Sequence, residues 1–195
     1  MNVLIPDKEL LKKTGNVDYY NWNYKFPISI VQQYRFKKIT ELLGKKIYPT
    51  LLEVGTGSGI FLPELSRHCV KLYACDIYDD YSHIKSLCDH YGITNCTVNK
   101  QNIEKTSYAD IFFDVIIGVS VLEFVNNIQT AIDEIKRIMK PNGVFITICP
   151  MQSELLDSLL SLYSSKKPKE EFGNSRSMVT TKLEENFKII KKGVM

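Results

Sequence analysis

Three glycines at alternate positions, in Glu53-Val-Gly55-Thr-Gly57-Ser-Gly59, carry the clearest chemical purpose in the chain, and Asp76 follows 21 residues after Gly55. A dinucleotide fingerprint is spaced G-x-G-x-x-G and sets a pyrophosphate on a helix N-terminus, while a Walker loop ends in Gly-Lys-Ser or Gly-Lys-Thr. Neither spacing occurs here. Alternating glycines let the backbone turn tightly and lie flat under a ligand that carries no phosphate. An acid at the end of the next strand accepts hydrogen bonds from two ribose hydroxyls. Loop and acid together describe a nucleoside pocket. Taken alone, Asp76 would read as a strand-to-helix cap, and it is the glycine loop beside it that favours ribose binding; Asp79 and Asp80 read as caps of the helix that follows.

Other chemistries find little support. The five cysteines, Cys69, Cys75, Cys88, Cys96 and Cys149, are odd in number and form no C-x-x-C pair, so reduced and mostly buried thiols are expected. His68, His83 and His90 fall in helical stretches without H-E-x-x-H spacing and are expected to face solvent or cap helices. No metal site is expected.

The elements that must position the loop follow from periodicity. Residues 27–43 predict a helix, with Ile30, Val31, Tyr34, Ile39, Leu42 and Leu43 at helical spacing between Pro27 and Gly44. Residues 1–26 precede it as a flap, with five aromatics between Tyr19 and Phe26. From residue 50, apolar runs alternate with helical patterns, the signature of βαβ units. Strands are expected at 50–54, 70–75, 94–99, 113–119 and 144–149, and helices at 59–68, 81–91 and 128–139. Pro141-Asn142-Gly143 reads as the stop after the last of these. A helix at 155–163, an exposed connection at 164–177, a short helix at 180–186 and a last strand at 187–191 complete the expectation.

Length and composition set the bounds. With 195 residues, 44% hydrophobic and 24% charged, the chain suits one globular domain, here taken as residues 27–195 with a cofactor-binding core at 50–150. No apolar run reaches the roughly 20 residues of a membrane span, and residues 1–11 lack signal-peptide features, so a cytoplasmic protein is expected. Twenty-five Lys and Arg against 22 Asp and Glu leave a charge of +3, too small to point to nucleic acid.

These motifs, in order, resemble the class I S-adenosylmethionine-dependent methyltransferases, most closely the small-molecule type 11 subgroup. The resemblance runs through the glycine loop, Ala74-Cys-Asp76, Gln101-Asn-Ile-Glu-Lys105, Phe113-Asp-Val-Ile-Ile-Gly-Val-Ser-Val-Leu-Glu-Phe-Val125 and Glu134-Ile-Lys-Arg-Ile-Met-Lys-Pro-Asn-Gly143. It implies a Rossmann-like, doubly wound, mostly parallel α/β sheet. It further implies that Glu53 and the backbone of Gly55, Thr56, Gly57 and Gly59 hold the methionine end of S-adenosylmethionine. Asp76 would take the ribose, and Ile77 would lie against the adenine. Asn102 and Ile103 stand where the family has an acid and an apolar residue, the Asn carbonyl replacing the acid as acceptor. Gly118 and Val119 would bring a backbone carbonyl near the cofactor's amino group.

Two departures bear on mechanism and architecture. Phe124 replaces a histidine common in the family, so no general base is expected there, and Asp18, Tyr19, Tyr20 or Glu154 are the remaining proton acceptors. Family members close the sheet with two antiparallel strands, and here only the first is expected. The sheet then has one strand fewer, or is completed by a tail beyond Met195, or is covered by a partner subunit. Tyr19, Tyr20, Trp22, Phe124 and Cys149 are the candidate acceptor contacts, although packing is the simpler role for Cys149 and an even alternative for the flap. The expected function is methyl transfer to a small-molecule acceptor by a monomer or homodimer. The alternatives are a non-catalytic cofactor-binding module and a protein or nucleic-acid methyltransferase. Lys166, Lys167 and Lys169 read as a solvated loop.

Overall fold

The computed structural model describes residues 3–15, 18–78, 80–149 and 175–193. Five strands form one sheet: β1 Tyr48–Val54, β2 Cys69–Asp76, β3 Cys96–Lys100, β4 Phe113–Val119 and β5 Met139–Ile148. Their order is β3-β2-β1-β4-β5, and every pairing is parallel. The connections run outward in one direction from β1 and in the other from β4, so the topological switch point lies between these two strands. Ligands of open α/β sheets bind beyond the carboxyl ends at such a point.

Alternation along the strands decides which helix packs where. Leu51 of β1, with Leu72, Val115 and Ile117, faces α1 (Ile28–Leu43), α2 (Leu62–Leu65) and α3 (Ser82–Tyr91). Leu52 and Val54, with Phe113 and Ile116, face α4 (Ile128–Ile138) and α5 (Ser175–Asn186), which contributes Val179. Both sheet faces are covered, which explains why β4 reads as a continuous apolar run. The fold is the expected doubly wound α/β class.

Several boundaries differ from the sequence expectation, each for a local reason. The helix expected at 59–68 shrinks to α2 and a 3-10 turn at Ser66–His68, because Pro63 favours the first helical turn and starts the helix late. His68 is buried rather than exposed, with its Nε2 3.3 Å from Glu64 Oε1. Asn127 caps α4 by accepting from the Thr130 amide at 3.1 Å. β5 begins at Met139, directly after α4, and Pro141-Asn142-Gly143 is a bulge within it rather than a stop. The pairing shifts from Phe113↔Met139 to Val115↔Val144, and a Cβ on Gly143 would lie 2.9 Å from the Lys140 carbonyl oxygen.

The expected strand at 187–191 does not form. The Phe187 amide continues the helical winding by donating to the Leu183 carbonyl at 2.9 Å. Its ring then packs 5.7 Å from Phe145 on the sheet's face, beneath the Lys136 ammonium. A residue anchored on a face cannot pair along the edge. Ser175 to Ser177, expected in a connection, are the start of α5. The helix expected at 155–163, residues 164–174, Glu154 and Asp79 lie outside the described residues.

Candidate active site

The glycine loop is fastened to the end of β2. The amides of Gly55 and Thr56 both donate to the Cys75 carbonyl, at 2.8 and 3.2 Å. Gly55 has φ +70, and a Cβ there would strike Val121 Cγ2 at 2.1 Å, so both backbone conformation and space require glycine. The Gly57 amide donates to Asp76 Oδ2 at 2.9 Å, while Asp76 Oδ1 accepts from the Ile77 amide at 2.7 Å. The carboxylate expected to meet ribose is thus already aligned by the loop.

Glu53, the penultimate residue of β1, lies between Ala74 and Ile117, is 4% exposed, and accepts from the Thr56 hydroxyl at 2.7 Å. Burial pushes its carboxyl up to about 8, against the pull of the Thr56 hydrogen bond. Beside it, the Ser58 hydroxyl is buried without a hydrogen-bond partner among the described residues.

A continuous cavity of about 1320 Å³ opens above this loop. Glu53, Gly55, Thr56, Gly57, Asp76, Ile77, Asn102, Ile103 and Val119 all line it. Gly59 and Gly118 stand away from the wall. A Cβ on Gly59 would point among Leu62, Ile84 and Leu87, and the Gly118 carbonyl accepts from the Thr147 hydroxyl at 2.9 Å. Asn102 is exposed, and its side-chain carbonyl accepts from the Glu104 amide at 2.9 Å.

The far wall comes from the flap, α1 and the ends of β4 and β5. Tyr19, Tyr20, Trp22, Phe124 and Cys149 are all on it, the rings of Tyr19 and Trp22 stacked 4.3 Å apart. Asp18 ties the flap to itself by accepting from the amides of Thr14 and Tyr20, and it stands over Gly57. Burial raises its pKa. Burial also holds the Cys149 thiol at about 12, so it is not a thiolate at neutral pH.

Sequence reasoning missed Arg35, Gln32, Ser120 and Thr147. Arg35 reaches this wall from α1, whose place is set by Phe36 stacking on Phe61 at 4.4 Å. One arginine within an amphipathic helix carries no local signal of its destination. Ser120, at φ +53, could have been suspected only from its place after an apolar strand.

Residues 52–147 match a family model described as Methyltransferase domain. The fold is that of the class I S-adenosylmethionine-dependent methyltransferases. Over 150 residues the chain is 26% identical to the ubiquinone biosynthesis O-methyltransferase of Rickettsia akari, covering 72% of this chain and 59% of that protein. Over 149 residues it is 24% identical to the mitochondrial arginine-hydroxylase NDUFAF5 of Mus musculus, covering 73% and 41%. The chain thus spans about half the length of these curated relatives. The solved structure of an S-adenosylmethionine-dependent methyltransferase from Aquifex aeolicus superposes with a TM-score of 0.63, at 24% identity, over 83% of this chain and 88% of that one. The methyltransferase domain ends near the carboxyl end of β5, so the flap, α1 and α5 lie outside the matched stretch.

Proposed function

We propose that the protein transfers a methyl group from S-adenosylmethionine to a small, largely apolar acceptor, leaving S-adenosylhomocysteine. The observation that carries this is the continuity of one cavity, from an acid-based glycine loop to an aromatic wall. Its volume exceeds the 300–1,000 Å³ common for one small ligand, which leaves room for cofactor and acceptor together.

The residues present suit the cofactor. Buried Glu53 lacks a cationic partner among the described residues, and the methionine end brings an ammonium. The unpartnered Ser58 hydroxyl offers a further hydrogen bond. Asp76 would accept from the ribose hydroxyls, Ile77 and Ile103 would flank the adenine, and the Asn102 carbonyl retains a second lone pair for its amino group. Val119 would form the wall beside the amino-acid end. When bound, S-adenosylmethionine supplies an electrophilic methyl on a sulfonium that leaves as a neutral thioether.

The chain's own contribution is placement and exclusion of water. The stacked Tyr19 and Trp22 rings and Phe124 offer flat surfaces that hold an acceptor against the loop. Asp18 takes the acceptor's proton where one is released, because burial raises its proton affinity and it stands beside Gly57. A second reading, cofactor binding without methyl transfer, is favoured by one observation: none of the three histidines lines the cavity.

Calorimetric titration with S-adenosylmethionine and S-adenosylhomocysteine tests the proposal, on the wild type and on Asp76→Ala. Micromolar binding that weakens about tenfold or more in the variant is expected. Binding by the wild type without release of S-adenosylhomocysteine on any small acceptor supports the second reading. No binding by the folded wild type overturns both.

A further inference from the structure

The acceptor end of the cavity holds a cation that the proposed transfer does not require. Arg35 projects from α1 into a wall that it shares with apolar Val31, Val121, Phe124 and Ile148, the flap rings, and polar Gln32, Ser120 and Thr147. Its Nη1 donates to Gln32 Oε1 at 2.7 Å and its Nη2 to the Ser120 hydroxyl. Its Nε is shielded from solvent and has no hydrogen-bond partner among the described residues.

This arrangement is costly unless something uses it. A guanidinium stays charged in proteins and carries five donors in a rigid fork. Here the hydrogen bonds it makes among the described residues go to neutral oxygens. Glu123 acts on it through space and offsets part of its charge. An orphaned buried donor is rare in folded proteins and marks a place where a partner is missing. Ser120 strengthens the point, because its backbone is held at φ +53 with its amide on the Ile148 carbonyl at 2.8 Å. Such backbone, at the carboxyl end of β4, is characteristic of binding sites.

We propose that Arg35 anchors the acceptor through a carboxylate, so that the substrate is an aromatic or apolar acid rather than a neutral molecule. The carboxylate lies side-on, bridging Nε–H and an Nη–H, while the acceptor's apolar body rests against Phe124 and the stacked Tyr19 and Trp22. This geometry suits the fork of an arginine and not the point charge of a lysine. The proposal rests on the methyltransferase reading for the identity of its ligand as acceptor. It does not rest on it for the affinity.

Benzoate and benzamide, equal in shape and different in charge, are the probes. Trp22 is the sole tryptophan and lies on the cavity wall, so its fluorescence reports binding at this end. Both probes are titrated into the wild type, alone and loaded with S-adenosylhomocysteine, and into Arg35→Met and Arg35→Lys. The expected result is that benzoate binds the wild type about fivefold or more tighter than benzamide, a charge-assisted preference. Arg35→Met removes the preference, Arg35→Lys keeps part of it, and affinity for S-adenosylhomocysteine changes by less than about twofold, as expected for separate subsites. Equal binding of the two probes by the wild type, no saturable benzoate binding, or a preference that survives in Arg35→Met overturns the proposal. The wild-type comparison stands even where a variant fails to fold. If S-adenosylhomocysteine does not bind but the benzoate preference holds, the cofactor reading falls and the anchor remains.

Discussion

Glu53 sets the pH behaviour of the site. Its carboxyl ionises at about 8 in the folded chain and near the ordinary carboxylate value in the unfolded one. Between roughly pH 4.5 and 8 the folded state therefore holds a proton that the unfolded state has lost. Stability falls as pH rises through this window, by up to a few kcal/mol. Glu53→Gln should raise the melting temperature of the unliganded protein at pH 8 while weakening S-adenosylmethionine binding about tenfold or more. Differential scanning fluorimetry at pH 5 and pH 8 reads the first effect, which should be much smaller at pH 5. Calorimetry in buffers of different ionisation enthalpy reads a linked event: at pH 7 a bound ammonium should drive a proton off Glu53. Affinity should then climb with pH and level off above about 8. The motif placed this residue from sequence alone. Its protonation state was not legible there, since it follows from Ala74, Ile117 and Thr56 closing around the carboxyl.

Helix α1 extends the cavity wall beyond the glycine loop. It delivers Arg35 to the cavity, and Phe36, Ile39 and Leu43 bind it to the main core while Ile28 packs with Trp22 of the flap. The Phe36 ring is 5% exposed and stacked on Phe61, beside the glycine loop's own helix. Phe36→Ala should cost about 3–5 kcal/mol and read out in denaturant unfolding. It should also weaken ligand binding at the acceptor end more than at the loop, because the loop is fastened separately through the Cys75 carbonyl. The helix itself was legible from its apolar spacing between Pro27 and Gly44. The residues it carries to the cavity were not. Gln32 and Arg35 lie one turn apart and read as an ordinary polar pair. The same limit explains the missing last strand. Phe187 to Lys191 has strand-like composition, but edge pairing competes with burial of one ring on the sheet's face, and burial won.

At the scale of the molecule, the sheet has two covered faces, and α5 completes one of them. Val179 is 1% exposed within the cluster formed by Leu52, Phe113, Ala131 and Ile135. Val179→Asp buries an unpaired charge there and should lower stability by several kcal/mol, measured by thermal unfolding. An unchanged melting temperature would show that α5 does not dock on α4 in solution. The sequence by itself determined the βαβ order, the glycine loop, the acid that the loop aligns and the resemblance to methyltransferases, because each is written in residues close along the chain. Periodicity and motif spacing are local properties, and a parallel sheet imposes the rest of its order on them. Only the tertiary structure decided which residues share the cavity. It turned Gly59 and Gly118 away and brought in Arg35, Ser120 and Thr147 from separate elements. It set the flap's aromatic rings opposite the loop. Those placements depend on how helices lie across strand ends and on which side chains leave water, which no single stretch of sequence encodes.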